Sequence, residues 1–231
     1  MRRLFHTIAG RYDLITVLLS FGLDRRWKER LADLARVEPG MRALDLACGT
    51  GDIAFALAAR GASVTGLDIT HRMVQLARAK PQASRISGFV TADMMTLPFV
   101  DAAFDVVTTG YGIRNVPRIE PAIAEIHRVL RPGGVLLSLD FDRPDNAVLR
   151  AIYLGYLTLV GSALGWVLHR DPDTYRYIPA SIARYPGARG VSTLLAGAGF
   201  EECRVLPLLG GLMAINVARR SGARLAELGI D

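Results

Sequence analysis

The sequence predicts an α/β fold built on a doubly wound, mostly parallel sheet. Five short apolar runs typical of buried strands alternate with helix-forming segments, and a glycine turn follows the first run. The runs cover residues 43–47, 62–67, 88–92, 104–109 and 135–141. Ligands of such sheets bind beyond the carboxyl ends of the strands, and acids or glycines follow these runs in the chain.

The first strand leads into a turn with the features of a nucleotide-binding turn. Gly49 and Gly51, with Thr50 between them, let the backbone turn sharply and pass close to a ligand without a Cβ in the way. Residues 53–60 then have apolar positions at helical spacing and strong helix formers. The second strand ends at Asp68, where a carboxylate accepts hydrogen bonds from ribose hydroxyls. This layout is that of a Rossmann-like βαβ unit.

The acids around the turn favour S-adenosyl-L-methionine over NAD as the cofactor. The third glycine of the dinucleotide fingerprint is absent, because Phe55 and Ala56 occupy its region. Asp45 and Asp52 would repel a pyrophosphate, whereas they suit a ligand that carries an ammonium and a sulfonium. The alternative, a glycine turn without a ligand, requires both acids to be accidental.

The later strands extend the same site. The third ends at Asp93-Met94 before an apolar loop, residues 97–99, which suits an adenine, although Asp93 alone also fits a turn cap. The fourth leads to Gly110-Tyr111-Gly112. A helix over residues 121–130 is predicted to stop at the Arg-Pro-Gly-Gly turn, residues 131–134, before the fifth strand.

The composition excludes several classes of function. The 231 residues fit one domain, and the formal charge of +6 comes from scattered arginines without a long basic run, so nucleic-acid binding is disfavoured. Cys48 and Cys203 fit a reducing compartment, and no spacing fits a metal site. The apolar stretch among the first residues is too short for a signal peptide, so we expect a cytoplasmic location. The charge leaves open an attraction to anionic membranes.

One uncharged stretch, residues 151–168, approaches the length of a transmembrane helix. More of the same domain follows it, so a crossing would place the last strands on the wrong side of the bilayer. We therefore predict a buried or interfacial helix that helps to wall an apolar pocket, with plain core packing as the alternative. Such a helix favours an apolar substrate.

From residue 5 to residue 219 the chain resembles the quinone-biosynthesis C-methyltransferases, which methylate the ring of demethylmenaquinol or of a ubiquinone precursor. The segments that carry the resemblance are the glycine turn and residues 8–13, 19–27, 110–116, 128–134 and 175–182. Gly-Ile-Arg-Asn-Val, residues 112–116, and Tyr-Arg-Tyr-Ile-Pro, residues 175–179, are more particular to this family than the glycine turn is.

The resemblance implies a fold and a set of departures from the family pattern. It implies the class I methyltransferase fold, a seven-stranded sheet with an antiparallel last strand, in which residues 203–206 and 212–218 form the last two strands. Residues 1–40 become a helical lid and residues 146–190 a helical insertion on the substrate side, both within one domain over residues 1–231. The departures are at Thr16, Asp24, Asp140 and Asp142, mostly on the substrate side.

The predicted site combines cofactor-binding and catalytic side chains. S-adenosyl-L-methionine is expected to contact Asp45, Gly49, Thr50, Gly51, Asp68, Ile69, Met73, Asp93, Met94 and Tyr111, with Met73 equally suited to core packing. Arg114 is expected to stabilise an oxyanion of the acceptor ring, and Asn115 to hold a second oxygen or a water. Tyr12 is expected to close over the site and relay a proton. A surface salt bridge for Arg114 and a half-buried lid position for Tyr12 are the alternatives.

Three functions follow from these residues. The leading one is ring C-methylation of a prenylated hydroquinone, with S-adenosyl-L-homocysteine as the second product. A methyltransferase for a phospholipid headgroup or another small apolar acceptor, and a cofactor-binding scaffold of a quinone-synthesis complex, stay open. Peripheral membrane association and a homodimer also stay open.

Overall fold

A seven-stranded sheet forms the centre of the computed structural model, which describes residues 2–20, 22–144 and 146–222, without the side chains of residues 2–4, 12 and 13. The strands are β1 Arg42–Leu46, β2 Ser63–Asp68, β3 Gly88–Thr91, β4 Phe104–Gly110, β5 Leu130–Phe141, β6 Phe200–Leu208 and β7 Met213–Arg220. Their order is β3-β2-β1-β4-β5-β7-β6. The pairs from β3 to β5 are parallel, whereas β7 is antiparallel to both β5 and β6. The predicted fold class is confirmed.

Helices cover both faces of the sheet. They are α1 Arg2–Ile8, α2 Tyr12–Leu19, α3 Asp24–Leu34, α4 Asp52–Ala59, α5 His71–Arg78, α6 Ile119–Val129, α7 Ala147–His169, α8 Tyr177–Arg184 and α9 Gly187–Gly197. Alternate residues of β1 point to opposite faces: Leu44 and Leu46 pack in the core layer that contains α6 and α9, and Ala43 packs in the layer that contains α3 and α4. Burial on both faces explains why the central strands read as continuous apolar runs.

The start of β5 differs from the predicted helix and turn. The helix ends at Val129, and Leu130 already pairs with Phe104 of β4. Residues 131–134 then leave the ladder, which resumes where Val135 pairs with Val106. Pro132 cannot donate a ladder hydrogen bond and Gly133 has a φ of +77°, so this segment bulges out of the strand instead of ending the pairing.

Helices α1, α2, α7 and α8 pack together as a unit that we term the helical cap. Ile8, Ile15, Leu157 and Tyr175 form its buried core. Phe141, the last residue of β5, packs against the same cluster, so the cap sits at the carboxyl ends of the parallel strands.

Helix α7 is the one helix of the described residues that is long and apolar enough to cross a membrane by length and composition. Only 22% of its most apolar window is buried. Strand β7, which follows it in the chain, is hydrogen-bonded to β5, which precedes it, from Val135–Arg219 to Phe141–Met213. In this fold α7 therefore lies along the protein surface, because a crossing would separate two paired strands.

Candidate active site

A cavity of about 340 Å³ lies at the carboxyl ends of β1, β2 and β4. Seven of the ten residues predicted to contact the cofactor line it, namely Gly49, Asp68, Ile69, Met73, Asp93, Met94 and Tyr111. Phe5 from the helical cap, Asn115 and Val116 complete the wall on the other side. We refer to this space as the cofactor cavity.

The glycine turn passes beside the cavity in a left-handed backbone conformation, which favours glycine. Gly49 and Gly51 have φ values of +52° and +94°. A Cβ on Gly51 would lie 2.8 Å from the ring of Phe55, so both the conformation and the space favour glycine there. Gly51 does not line the cofactor cavity; it is the N-cap of α4, and its carbonyl accepts a hydrogen bond from the backbone N–H of Phe55.

Asp68 is held in place by two backbone donors. Its Oδ2 accepts the N–H of Gly49 at 2.9 Å, and its Oδ1 accepts the N–H of Thr70 at 2.8 Å. Burial raises the pKa of this carboxyl, and both backbone hydrogen bonds oppose that shift. The carboxylate oxygens are thus fixed at the wall of the cofactor cavity, where each oxygen retains a lone pair for a ligand hydroxyl.

Asp45 and Thr50 lie in a separate small cavity of about 20 Å³ beside the glycine turn. Asp45 is 1% exposed, and its oxygens accept the hydroxyl of Thr108 at 2.8 Å and the N–H of Ala54 at 3.1 Å. Burial raises the pKa of Asp45 to about 7. Its immediate role in the structure is to tie β1 to β4 and to the start of α4.

The raised pKa of Asp45 predicts a pH-dependent stability. Between about pH 4 and pH 7 the unfolded chain has lost this proton while the folded chain keeps it, so the contribution of Asp45 to the free energy of unfolding falls as pH rises. Asp45→Asn is expected to show a flatter decline than the parent. Urea unfolding of both proteins at pH 5 and pH 7 measures how far the free energy of unfolding falls. Equal falls in the two proteins would contradict the raised pKa of Asp45.

Arg114 is buried in an ion pair with Asp140. Its Nε donates to Oδ1 of Asp140 at 3.0 Å, and its backbone N–H donates to Oδ2 at 3.2 Å. Nη1 donates to the hydroxyl of Ser181 on α8, and the guanidinium lies 4.9 Å from the ring centroid of Phe141. Burial is the largest influence on the pKa of Asp140 and raises it, while Arg114 opposes the shift. The guanidinium is therefore fixed in orientation by three neighbours.

An apolar pocket of about 40 Å³ lies between Arg114 and the helical cap. Its walls come from α2, α7 and α8 and from the end of β5, with Ile15, Tyr153, Tyr177 and Phe141 among the lining residues. It shares Tyr111 and Asn115 with the cofactor cavity, so the two spaces adjoin. Burial raises the pKa of Tyr177 to about 12 and that of Tyr153 further, which keeps both hydroxyls protonated.

Asn115 stands between the two spaces with one amide atom available. Its Nδ2 donates to the carbonyl of Tyr111 at 2.7 Å, whereas its Oδ1 is buried without a hydrogen-bond partner among the described residues. A buried acceptor without a partner costs free energy, so its position at the junction of two cavities points to a ligand donor. Tyr12, the third predicted catalytic residue, begins α2, but its side chain lies outside the described residues.

Sequence reasoning missed a charged network beside the glycine turn. Tyr111 donates its hydroxyl to Asp24 at 2.7 Å, and Nζ of Lys28 lies 2.6 Å from Asp24 and 2.9 Å from Asp52. Asp24 is 3% exposed, so it is a buried partner of Tyr111 and Lys28 as well as the first residue of α3. The spacing of Asp24 and Lys28, one helical turn apart, was the only sequence signal for this network.

The residues that line the cofactor cavity fit S-adenosyl-L-methionine. The described residues contain no group of three or more His, Cys, Asp or Glu residues that could hold a metal ion. Asp68 and Asp93 supply acceptors at one end of the cofactor cavity, between the apolar side chains of Ile69, Met73 and Met94. In the separate small cavity beside it, the glycine turn lies among Asp45, Asp52 and Lys28, which match a ligand that carries both an ammonium and a carboxylate.

Comparison with known proteins identifies the family of this chain. The model of the ubiE/COQ5 methyltransferase family matches residues 1–220. A demethylmenaquinone methyltransferase of Thermus thermophilus is 41% identical over 94% of this chain and 100% of its own length. A ubiquinone/menaquinone biosynthesis C-methyltransferase of Azotobacter vinelandii is 38% identical over 92% of this chain and 86% of its own length.

Solved structures support the fold. A SAM-dependent methyltransferase of Thermotoga maritima superposes with a TM-score of 0.68 at 19% identity, over 96% of this chain and all of its own. A SAM-dependent methyltransferase of Aquifex aeolicus gives 0.59 at 16% identity, over 84% of this chain and 89% of its own. Together with the relatives above, the family match shows that this chain belongs to the ubiE/COQ5 methyltransferase family and is an S-adenosyl-L-methionine-dependent C-methyltransferase.

Proposed function

We propose that the protein transfers a methyl group from S-adenosyl-L-methionine to a ring carbon of a prenylated hydroquinone, such as demethylmenaquinol or a ubiquinone precursor. The observation that carries this proposal is the buried guanidinium of Arg114 beside an apolar pocket that adjoins the cofactor cavity. The names of the relatives from Thermus and Azotobacter point to the same class of acceptor.

The cofactor, when bound, supplies an electrophilic methyl group on its sulfonium. The side chains of the apolar pocket bind the ring and exclude water, so that electrostatic interactions there are stronger than in solution. Arg114 stabilises the oxygen that gains negative charge as the ring hydroxyl is deprotonated. A guanidinium does not act as a free base at neutral pH, so we assign it charge stabilisation only.

Asn115 holds the second oxygen of the ring, or a water, through its amide group. Tyr12 closes over the site, as the resemblance implies, and relays a proton. Of residues 1–40, helices α1 and α2 act as the lid, and of residues 146–190, helices α7 and α8 act as the substrate-side insertion. A phospholipid headgroup amine suits the pocket less well, because a cationic acceptor would face the guanidinium of Arg114.

The test is a turnover assay with purified protein, S-adenosyl-L-methionine and a reduced short-chain demethylmenaquinol, with the product analysed by mass spectrometry. We expect the ring to gain the mass of one methylene, together with equimolar S-adenosyl-L-homocysteine. Cofactor binding by calorimetry without turnover of this acceptor or of ubiquinone precursors would overturn the proposed acceptor. The cytoplasmic location and the homodimer stay predictions of the sequence.

A further inference from the structure

The apolar side chains that remain exposed are concentrated on two helices of the cap. Nine of the large apolar side chains exposed in the described part of the chain lie on α2 and α7; the other two are Val100 and Leu209. We term these nine the outer face; they are Leu14, Val17, Leu18, Val148, Leu149, Ile152, Leu159, Trp166 and Val167. Exposed apolar patches of this kind mark interaction surfaces.

Four residues of the outer face form a stripe along α7. Val148, Ile152, Leu159 and Trp166 are separated by four, seven and seven residues, so their side chains align on one side of the helix. Ile152, Leu159 and Trp166 are 65%, 73% and 57% exposed. The opposite side of α7, with Tyr153 and Leu157, is buried in the core of the helical cap.

Arginines lie at both ends of this stripe. Arg143, Arg150 and Arg189 line a polar groove of about 600 Å³ beside the start of α7. At its other end the guanidinium of Arg170 lies 5.4 Å from the ring of Trp166. Helix α7 itself contains no acid. Arginine beside tryptophan at the edge of an apolar surface is the arrangement found at membrane–water interfaces.

Three acids in the neighbouring loops have hydrogen bonds or ion pairs of their own. Asp142, which also lines the groove, accepts the N–H of Ala188 at 2.8 Å. Asp171 accepts the N–H of Asp173 at 2.9 Å and the hydroxyl of Thr174 at 3.1 Å, and Asp173 pairs with Arg176 at 2.9 Å. These acids keep their negative charge, so the charges cancel at the Arg170 end, whereas the groove at the start of α7 has three arginines against one acid and complements an anionic surface.

The inner sides of the same helices line the apolar pocket of the active site. Ile15 and Leu19 of α2 and Tyr153 of α7 form part of its wall. Leu209, which is not part of the outer face, lines the pocket and is also 37% exposed. The outer face and the substrate pocket are thus two sides of one thin helical layer.

We propose that the outer face docks on an anionic phospholipid bilayer, and that the prenylated acceptor passes from the bilayer between α2 and α7 into the apolar pocket. The docking half of the proposal stands on the exposed apolar stripe and the flanking arginines, and the passage half rests on the proposed function. A bilayer is preferred to a second copy of the chain because the groove at the start of the stripe has three arginines against one acid and α7 itself contains no acid.

The test compares vesicle binding of the parent with that of Ile152→Ser/Leu159→Ser/Trp166→Ser. We expect the parent to co-sediment with vesicles of phosphatidylcholine and phosphatidylglycerol, less with phosphatidylcholine alone, and less as salt is raised. The triple variant is expected to bind at least about tenfold more weakly. Val100→Ser, which changes an equally apolar side chain that is 76% exposed before β4, is the matched control and should bind like the parent.

Turnover separates docking from chemistry. The triple variant should methylate a water-soluble short-chain quinol at the parental rate but a long-chain quinol in anionic vesicles at least about tenfold more slowly. Parental vesicle binding by the triple variant, or no binding by the parent, would overturn the proposal, as would a dimer that the substitutions convert to a monomer without any lipid effect. Failure of the parent on the short-chain quinol would instead overturn the proposed function, since vesicle binding requires no turnover.

Discussion

Arg114→Met is expected to lose both turnover and stability, and a second substitution should separate the two effects. Removal of one positioned donor to a developing oxyanion typically costs about 10²–10³ in rate. The same change leaves Asp140 buried without its cation, which costs about 3–5 kcal/mol of the free energy of unfolding. Turnover, calorimetry with S-adenosyl-L-methionine and urea unfolding measure the three quantities.

The double variant Arg114→Met/Asp140→Leu is the control for stability. Replacement of a whole buried ion pair by apolar residues is often neutral, so we expect this protein to regain most of the lost stability. It should still bind the cofactor and still fail to methylate the quinol. Recovery of turnover along with stability would show that Arg114 only supports the fold.

Asp68→Ala is expected to remove most of the affinity for S-adenosyl-L-methionine. The carboxylate offers two charged acceptors to the ribose hydroxyls, each worth about 1.5–3 kcal/mol, so the dissociation constant should rise on the order of 100-fold or more. Calorimetry measures it directly. At saturating cofactor the turnover rate should fall much less than the affinity does.

Two further variants serve as comparisons for Asp68→Ala. Asp68→Asn keeps one acceptor and should lose less affinity than Asp68→Ala. Asp93→Ala removes a carboxylate whose Oδ1 accepts the N–H of Met95 at 3.0 Å, and should cost about tenfold, as one hydrogen bond of this kind does. Equal losses in all three variants would contradict a specific ribose contact at Asp68.

The sheet and the cofactor cavity could be predicted because their signals are local in the sequence. Strands buried on both faces appear as apolar runs, and parallel topology places the residues after them at one edge. Asp68 and Asp93 were found this way, and both line the cofactor cavity. The start of β5 differs from the prediction because Leu130 pairs with Phe104 in the assembled sheet, and the turn that follows gives no sign of this pairing.

The partners of the charged residues could not be predicted, because they come from distant parts of the chain. Lys28 meets Asp52, Tyr111 meets Asp24, and Arg114 meets Asp140 only once α3, α4 and β5 are packed around the site. The unpaired Oδ1 of Asn115 has no sequence signal at all, since it is a property of the finished packing. Residues 151–168 are apolar on every side, so no periodicity revealed which side of α7 stays exposed.

The position of β7 has a consequence for how the chain acquires its structure. The last strand lies between β5 and β6, so β6 has no place in the sheet until β7 has been synthesised. Until then one edge of β5 is unpaired, and α7, α8 and α9 follow an incomplete sheet. Truncation before residues 213–220 would therefore leave the edges of β5 and β6 that β7 pairs open to aggregation.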